Sequence, residues 1–134
     1  MIYPEFEDVL YINREIVGGR GAGLCRDGQN RIKSAIVRMQ GIYFDKDPFP
    51  SLFDKAAAVI HSLVTTHPFL DGNKRTGLIT GLQFLYDNGL SCEHDVSDDE
   101  LADVIIGLAD SKISQEKLSA WIKKKFERYT ELNR

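Results

Sequence analysis

The sequence predicts an all-α fold, a compact bundle of five or six helices with room for one short β-hairpin. Apolar residues recur at helical spacing through most of the chain. Helix-starting and helix-stopping residues punctuate those stretches. No internal repeat or low-complexity linker divides them, so residues 1–134 are expected to form one domain around one core.

Pro4 fits the first turn of helix one, where its missing N–H costs nothing. Phe6, Val9, Leu10, Asn13, Ile16 and Val17 then follow at helical spacing, and the flexible glycine loop Gly18–Gly23 ends the helix. Asp27 is the expected N-cap of the next helix, whose stripe is Ile32, Ala35, Ile36 and Met39 and whose stop is Gly41. Residues 42–50 hold Pro48, Pro50 and dense aromatics, and read as an extended or hairpin segment. Ser51 or Asp54 caps a helix reaching about Thr66. That helix is apolar nearly all round and belongs in the centre of the bundle. A second largely apolar helix is expected over Lys74–Tyr86, stopped by Asn88 and Gly89. Ser97 and Glu100 form a capping box for a helix with Leu101, Val104, Ile105 and Leu108 inward. Ser114 caps the last helix, with Leu118, Trp121, Ile122 and Phe126 inward. Lys123–Lys125 are read as complementing its C-terminal dipole.

Composition narrows the function. The formal net charge of −3 argues against binding along a nucleic-acid backbone, so a small molecule or another protein is the expected partner. Cys25 and Cys92 make no zinc or disulfide framework. The acidic opening MIYPEFEDVL does not read as a signal peptide, and no apolar run is long enough to be expected to span a membrane. A reduced, cytoplasmic setting follows as the expectation.

The chemistry concentrates in His67–Arg75, HPFLDGNKR, between two apolar helices. Asn73, Lys74 and Arg75 fall where a helix begins, and the first amides of a helix are unpaired and lie at the positive end of its dipole. That is an anion site. Gly72 lets the backbone turn tightly and approach a phosphate, Arg75 offers a fork of donors, and Lys74 adds a second charge. Asp71, a carboxylate beside those cations, suits a Mg²⁺ ligand. His67 ends the preceding helix, and an imidazole can take a proton from an incoming hydroxyl. Phe69 is read as the anchor pinning the loop into the core. Each residue alone has an ordinary structural use. Together, a loop carrying His, Asp, Lys and Arg between apolar helices needs a compensating ligand, and a metal-bound polyphosphate is one.

HPFLDGNKRTG resembles the signature of the Fic/Doc family: His, any, Phe, any, an acid or Asn, a small residue, Asn, Gly or Lys, Arg. LCRDGQNRIKSAI, TGLITGLQFLYDNGL and ELADVIIGLA resemble further parts of Doc-like chains, so the likeness covers most of residues 20–125. The resemblance implies a Fido-type helical bundle. It implies His67 as general base, Asp71 as Mg²⁺ ligand, and Gly72, Asn73, Lys74 and Arg75 as the holders of the phosphates of ATP or another nucleoside triphosphate. Family members transfer AMP to a protein hydroxyl. The Doc-like branch (death-on-curing) instead phosphorylates a threonine of elongation factor Tu and is restrained by an antitoxin.

Two positions favour the Doc-like branch. Lys74 stands where the AMP-transferring pattern has Gly, and Leu78 where it has a second Arg. Gly72, in contrast, is the residue of the AMP-transferring pattern. The inhibitory pattern of Ser or Thr, three residues, Glu and then Gly or Asn does not occur in the sequence, which leaves restraint to a partner. The expected enzyme is a phosphotransferase acting on a Ser or Thr hydroxyl of a protein, with AMP transfer and a non-catalytic nucleotide-binding module as rivals. Residues 42–50 lie where the family carries a target-holding flap, and a plain surface loop explains them equally well. His61 is expected to be structural, His94 to lie in an exposed turn, and the glycine loop to be a connector, since it lacks the Lys-Ser/Thr of a P-loop.

Overall fold

The computed structural model of the chain describes residues 1–42, 45–90 and 97–132. Among them are six helices: α1 Phe6–Val17, α2 Gly28–Gln40, α3 Leu52–Thr66, α4 Asn73–Asp87, α5 Asp98–Ala109 and α6 Gln115–Leu132. The all-α reading therefore holds. Tyr43 and Phe44 of the expected hairpin, with Cys92 and His94, lie outside the described residues. The described part of that segment has bends and no strand pairing, and the β-bridge among the described residues joins Leu24 to Phe69 instead.

α3 is central, packing against α2, α4, α5 and α6, while α1 lies across α4 and α2. Its buried run from Lys55 to Ile60 takes in almost two full turns, as its all-round apolarity predicts. The closest packing is with α4, where glycines let the backbones approach. A Cβ at Gly81 would lie 2.3 Å from Ile60 Cγ1, and one at Gly77 would lie 2.9 Å from Val64 Cγ2. The end of α3 and the start of α4 are thus held together, with only residues 67–72 between them.

Several caps differ in detail from the sequence reading. Pro4 precedes α1, and Glu5 is the N-cap, its N–H donating to Asp8 Oδ2 at 2.8 Å. Asp27 holds the N-cap position of α2 in a left-handed conformation, φ 69°, but its side chain accepts from Asn30 rather than from a backbone amide. α4 begins at Asn73, one residue early. Ser97 accepts from Glu100 N as expected, yet the Glu100 carboxylate turns to Trp121 Nε1 (3.3 Å) and Lys125 (2.8 Å) on α6. Because α6 runs on to Leu132, Lys123–Lys125 lie inside it and not at its end.

Lys55 is a buried cation that sequence periodicity placed only on a core helix. Its ammonium donates to the carbonyls of Met39 (3.4 Å) and Gln40 (3.3 Å), the end of α2, and to Asp47 Oδ2 (2.7 Å). It thereby caps α2 and fastens the segment before α3. Replacing it with Met is expected to cost about 1–3 kcal/mol through the carbonyls left without a donor, read as a lower urea midpoint with unchanged slope.

The Lys55 hydrogen bond, joined by Phe49 N–H, also holds the Asp47 carboxyl below the usual carboxylate range. Glu100 is lowered by its hydrogen bond from Lys125. Burial pushes Asp54 up, but hydrogen bonds from Ser119 and Ser51 outweigh it and leave it lowered. Burial, with Arg38 acting in the same direction, lowers His61. A carboxyl lowered in the folded state adds stability above its unfolded value, and that stability is lost as pH falls through the folded value. A lowered histidine has the same sign, since the unfolded chain takes the proton first. Thermal midpoints should thus fall on acidification, first below about pH 6.5 and again below about pH 4. Lys55→Met should flatten the second fall, and a midpoint that rises in acid would refute the assignment.

Candidate active site

α3 stops at His67, the C-cap, because the following Pro68 cannot continue a helix. His67 is exposed and sits in the left-handed region at φ 50°, ψ 62°. A residue with a Cβ pays about 1–2 kcal/mol for that conformation, so the surroundings must hold it. Arg31 of α2 does so from one side, its Nη1 donating to the carbonyls of Thr66 (3.0 Å) and His67 (3.4 Å). The segment before α2 does so from the other. Cys25 N donates to Pro68 O and Leu70 N donates to Gly23 O, both at 2.8 Å, around the bridge between Leu24 and Phe69.

Phe69 is 2% exposed and belongs to the core, which fixes the middle of the loop. Asn73 closes the loop on itself: Phe69 N donates to its Oδ1 (2.9 Å) and its Nδ2 donates to Phe69 O (2.8 Å). The Asn73 carboxamide is therefore engaged in shaping the loop, and its backbone amide is left to meet an anion. Gly72 is left-handed at φ 78°, and its N–H donates to Asp71 Oδ1 at 2.8 Å. Its amide is thus engaged, while its missing Cβ leaves space beside α1, where one would lie 3.0 Å from Val17 Cγ2.

Beyond Gly72 the amides of Asn73, Lys74 and Arg75 open α4, and no side chain caps it. Among the described residues nothing accepts from these three N–H groups. They stand at the positive end of a 15-residue helix, the arrangement that holds an anion. Lys74 and Arg75 are exposed and line one end of a cavity of about 480 Å³ between α4 and α5, whose walls include Leu78, Leu82, Leu101 and Ile105. Leu78 is thus part of an apolar wall.

Asp71 is exposed and is the one acid of the loop. Among the described residues no cluster of three or more His, Cys, Asp or Glu could bind a metal by itself. Asp71 is the one carboxylate the loop would offer a cation, and Mg²⁺ commonly takes only one or two carboxylates from a protein. His67 and Asp71 thus share one short loop and helix start with Lys74, Arg75 and three unaccepted amides, and of these side chains Lys74 and Arg75 line the cavity. His61 lies half-buried on α3, outside the loop. Among the described residues no helix is long and apolar enough to cross a membrane.

Two contributors were not evident from the sequence. Arg31 gave no signal, because its partners are backbone carbonyls 35 and 36 residues away. Asn13 gave a weak one, an amide on an otherwise apolar stripe. It is 1% exposed and donates to Asp71 O at 3.0 Å.

The model of the Fic/DOC family matches residues 3–85, from before α1 to the last turn of α4, and so includes the whole loop. The chain is also similar to "Toxin Doc" of Mycolicibacterium smegmatis, 35% identical over 107 residues, which covers 77% of each protein. With a match over more than half its length and a relative at this identity, the chain belongs to the Fic/DOC family.

Proposed function

We propose that the chain is a Doc-like, toxin-type phosphotransferase that moves the γ-phosphate of a nucleoside triphosphate to a Ser or Thr hydroxyl of a protein. The observation that carries this is the set of three unaccepted amides at Asn73–Arg75, flanked by Lys74 and Arg75, six residues from the end of the helix that bears His67. Family membership supports a protein-modifying transferase that uses a nucleotide and a divalent metal. Lys74 and the apolar Leu78 wall support phosphate over AMP as the group moved.

In this reading the target hydroxyl oxygen attacks the γ-phosphorus. The bond from that phosphorus to the β-phosphate oxygen breaks, the nucleoside diphosphate leaves, and the hydroxyl proton passes to the His67 imidazole. The chain contributes position and charge more than covalent chemistry. The amides of Asn73–Arg75 and the two side-chain cations would hold the polyphosphate, and Asp71 would hold Mg²⁺, which would supply neutralisation of the phosphate charge. The protein target would be elongation factor Tu-like, in keeping with a cytoplasmic setting. The name of the Mycolicibacterium smegmatis relative supports a protein antitoxin as the restraining partner.

The test is transfer from ATP labelled at either end, with Mg²⁺ and a cell extract. Label entering a protein from the γ-position and not from the α-position is expected. Label from the α-position would make the chain an AMP transferase. Binding of Mg·ATP without any transfer would make it a binding module.

A further inference from the structure

We infer that Asn13 is the positioning residue of the anion site: its buried carboxamide clamps the first turn of α4 so that the amides of Asn73–Arg75 converge on one point. The inference rests on the anion-site reading above, and it concerns a residue outside the signature loop.

Asn13 lies on the inward face of α1 with Val9 and Leu10, where an apolar residue would pack at lower desolvation cost. Its amide is 1% exposed and engaged at both ends. Nδ2 donates to Asp71 O (3.0 Å) and to Thr76 Oγ1 (3.2 Å), and Oδ1 accepts from Ala22 N (2.9 Å). Both donor hydrogens are used, so the network is one that rigidifies rather than one left half-satisfied.

The places it reaches give the role. Asp71 is the residue before the N-cap Gly72, and Thr76 is the first residue whose N–H is accepted within the helix start, by Gly72 O at 2.9 Å. The three unaccepted amides lie between them. One side chain thus grips both ends of the segment whose N–H groups must point together. Thr76 is itself 1% exposed, so the grip is shielded from water. The contact is tight, because a Cβ on Gly72 would lie 3.2 Å from Asn13 Nδ2.

The same amide explains the glycine loop, which lacks any phosphate-binding pattern. The loop turns through Gly21 N donating to Gly18 O (3.0 Å) and delivers Ala22 N to Asn13 Oδ1. A Cβ on Gly21 would lie 3.2 Å from that oxygen, and Gly21 is left-handed at φ 81°. The loop folds around Asn13 and holds its amide in the one orientation that donates toward α4.

The test is titration of wild type, Asn13→Leu, Asn13→Asp and Thr76→Val with Mg·ATP and with inorganic tripolyphosphate, at a temperature where each is folded. Amide hydrogen exchange at residues 72–76 is followed in parallel. Asn13→Leu removes the clamp. Asn13→Asp keeps the acceptor for Ala22 but loses both donors. Thr76→Val loses one of two grips and serves if neither Asn13 variant folds. Kd for both ligands should rise about 10- to 100-fold for the Asn13 variants and less for Thr76→Val, since losing one hydrogen bond to a charged group costs about 10- to 100-fold in affinity. Exchange at 72–76 should quicken in the same order. A residue that only supports the fold would lower the melting temperature and leave Kd of the folded protein unchanged. Affinities within twofold of wild type, with unaltered exchange, overturn the inference and leave the anion site standing. A wild type that binds neither ligand overturns both.

Discussion

His67→Ala is expected to lower protein labelling from Mg·ATP by about 10²- to 10⁴-fold, the usual contribution of a positioned proton acceptor. The fold should tolerate it. What holds this end of α3 is backbone: Arg31 binds the carbonyls of Thr66 and His67, and Cys25 N binds Pro68 O. Alanine keeps all of these. It must still adopt φ 50°, which histidine accepts slightly more readily, so a fall of a few degrees in melting temperature is expected and no more. Because the imidazole is not among the groups that meet phosphate here, Kd for Mg·ATP should stay within a few-fold. Single-turnover transfer and calorimetric binding on the same preparation separate the two effects. Transfer surviving at half the wild-type rate would remove His67 from the chemistry.

Gly28→Ala should be strongly destabilising, against the expectation from helix propensity. Gly28 opens α2, where alanine would ordinarily stabilise by up to about 1 kcal/mol. Here its Cβ would lie 2.3 Å from Pro68 O and 3.2 Å from Leu24 Cβ. The obstacle is a backbone carbonyl that already accepts from Cys25 N, in a loop pinned by buried Phe69. Either α2 or the loop must move. Overpacking of this kind costs about 1–3 kcal/mol, which for a chain of 134 residues is a fall of roughly 3–15 °C in melting temperature. Transfer should fall by about two orders of magnitude well below that temperature, because the displaced segment carries His67. A melting temperature equal to or above wild type would show that the loop is not wedged against α2.

Much of this architecture is written locally. The all-round apolarity of Leu52–Thr66 marks a central helix, and α3 is central. Gly41 stops α2 and Asn88-Gly89 stop α4 through backbone conformations the local sequence favours. The order of residues in HPFLDGNKR likewise contains a helix end, a turn and a helix start, and therefore a row of unaccepted helix-start amides before any fold is known.

Other features depended on what lies across the molecule. Glu100 has the sequence of a capping-box partner, but a lysine and an indole on α6 offer its carboxylate better company than its own N-cap amide. Asn73 reads as a phosphate ligand; its backbone amide has no acceptor among the described residues, while its carboxamide is bonded to the amide and carbonyl of Phe69.

By itself, then, the sequence determined the helices, most of their ends and the chemical content of the loop, because capping, periodicity and dipoles act over a single turn. Only the tertiary structure decided how that loop is held: by Asn13 from α1, by Arg31 and Cys25 from α2 and the segment before it, and by the Cβ-free face of Gly28. Those contacts join residues tens of positions apart through backbone atoms, and a backbone carbonyl looks the same from sequence wherever it occurs.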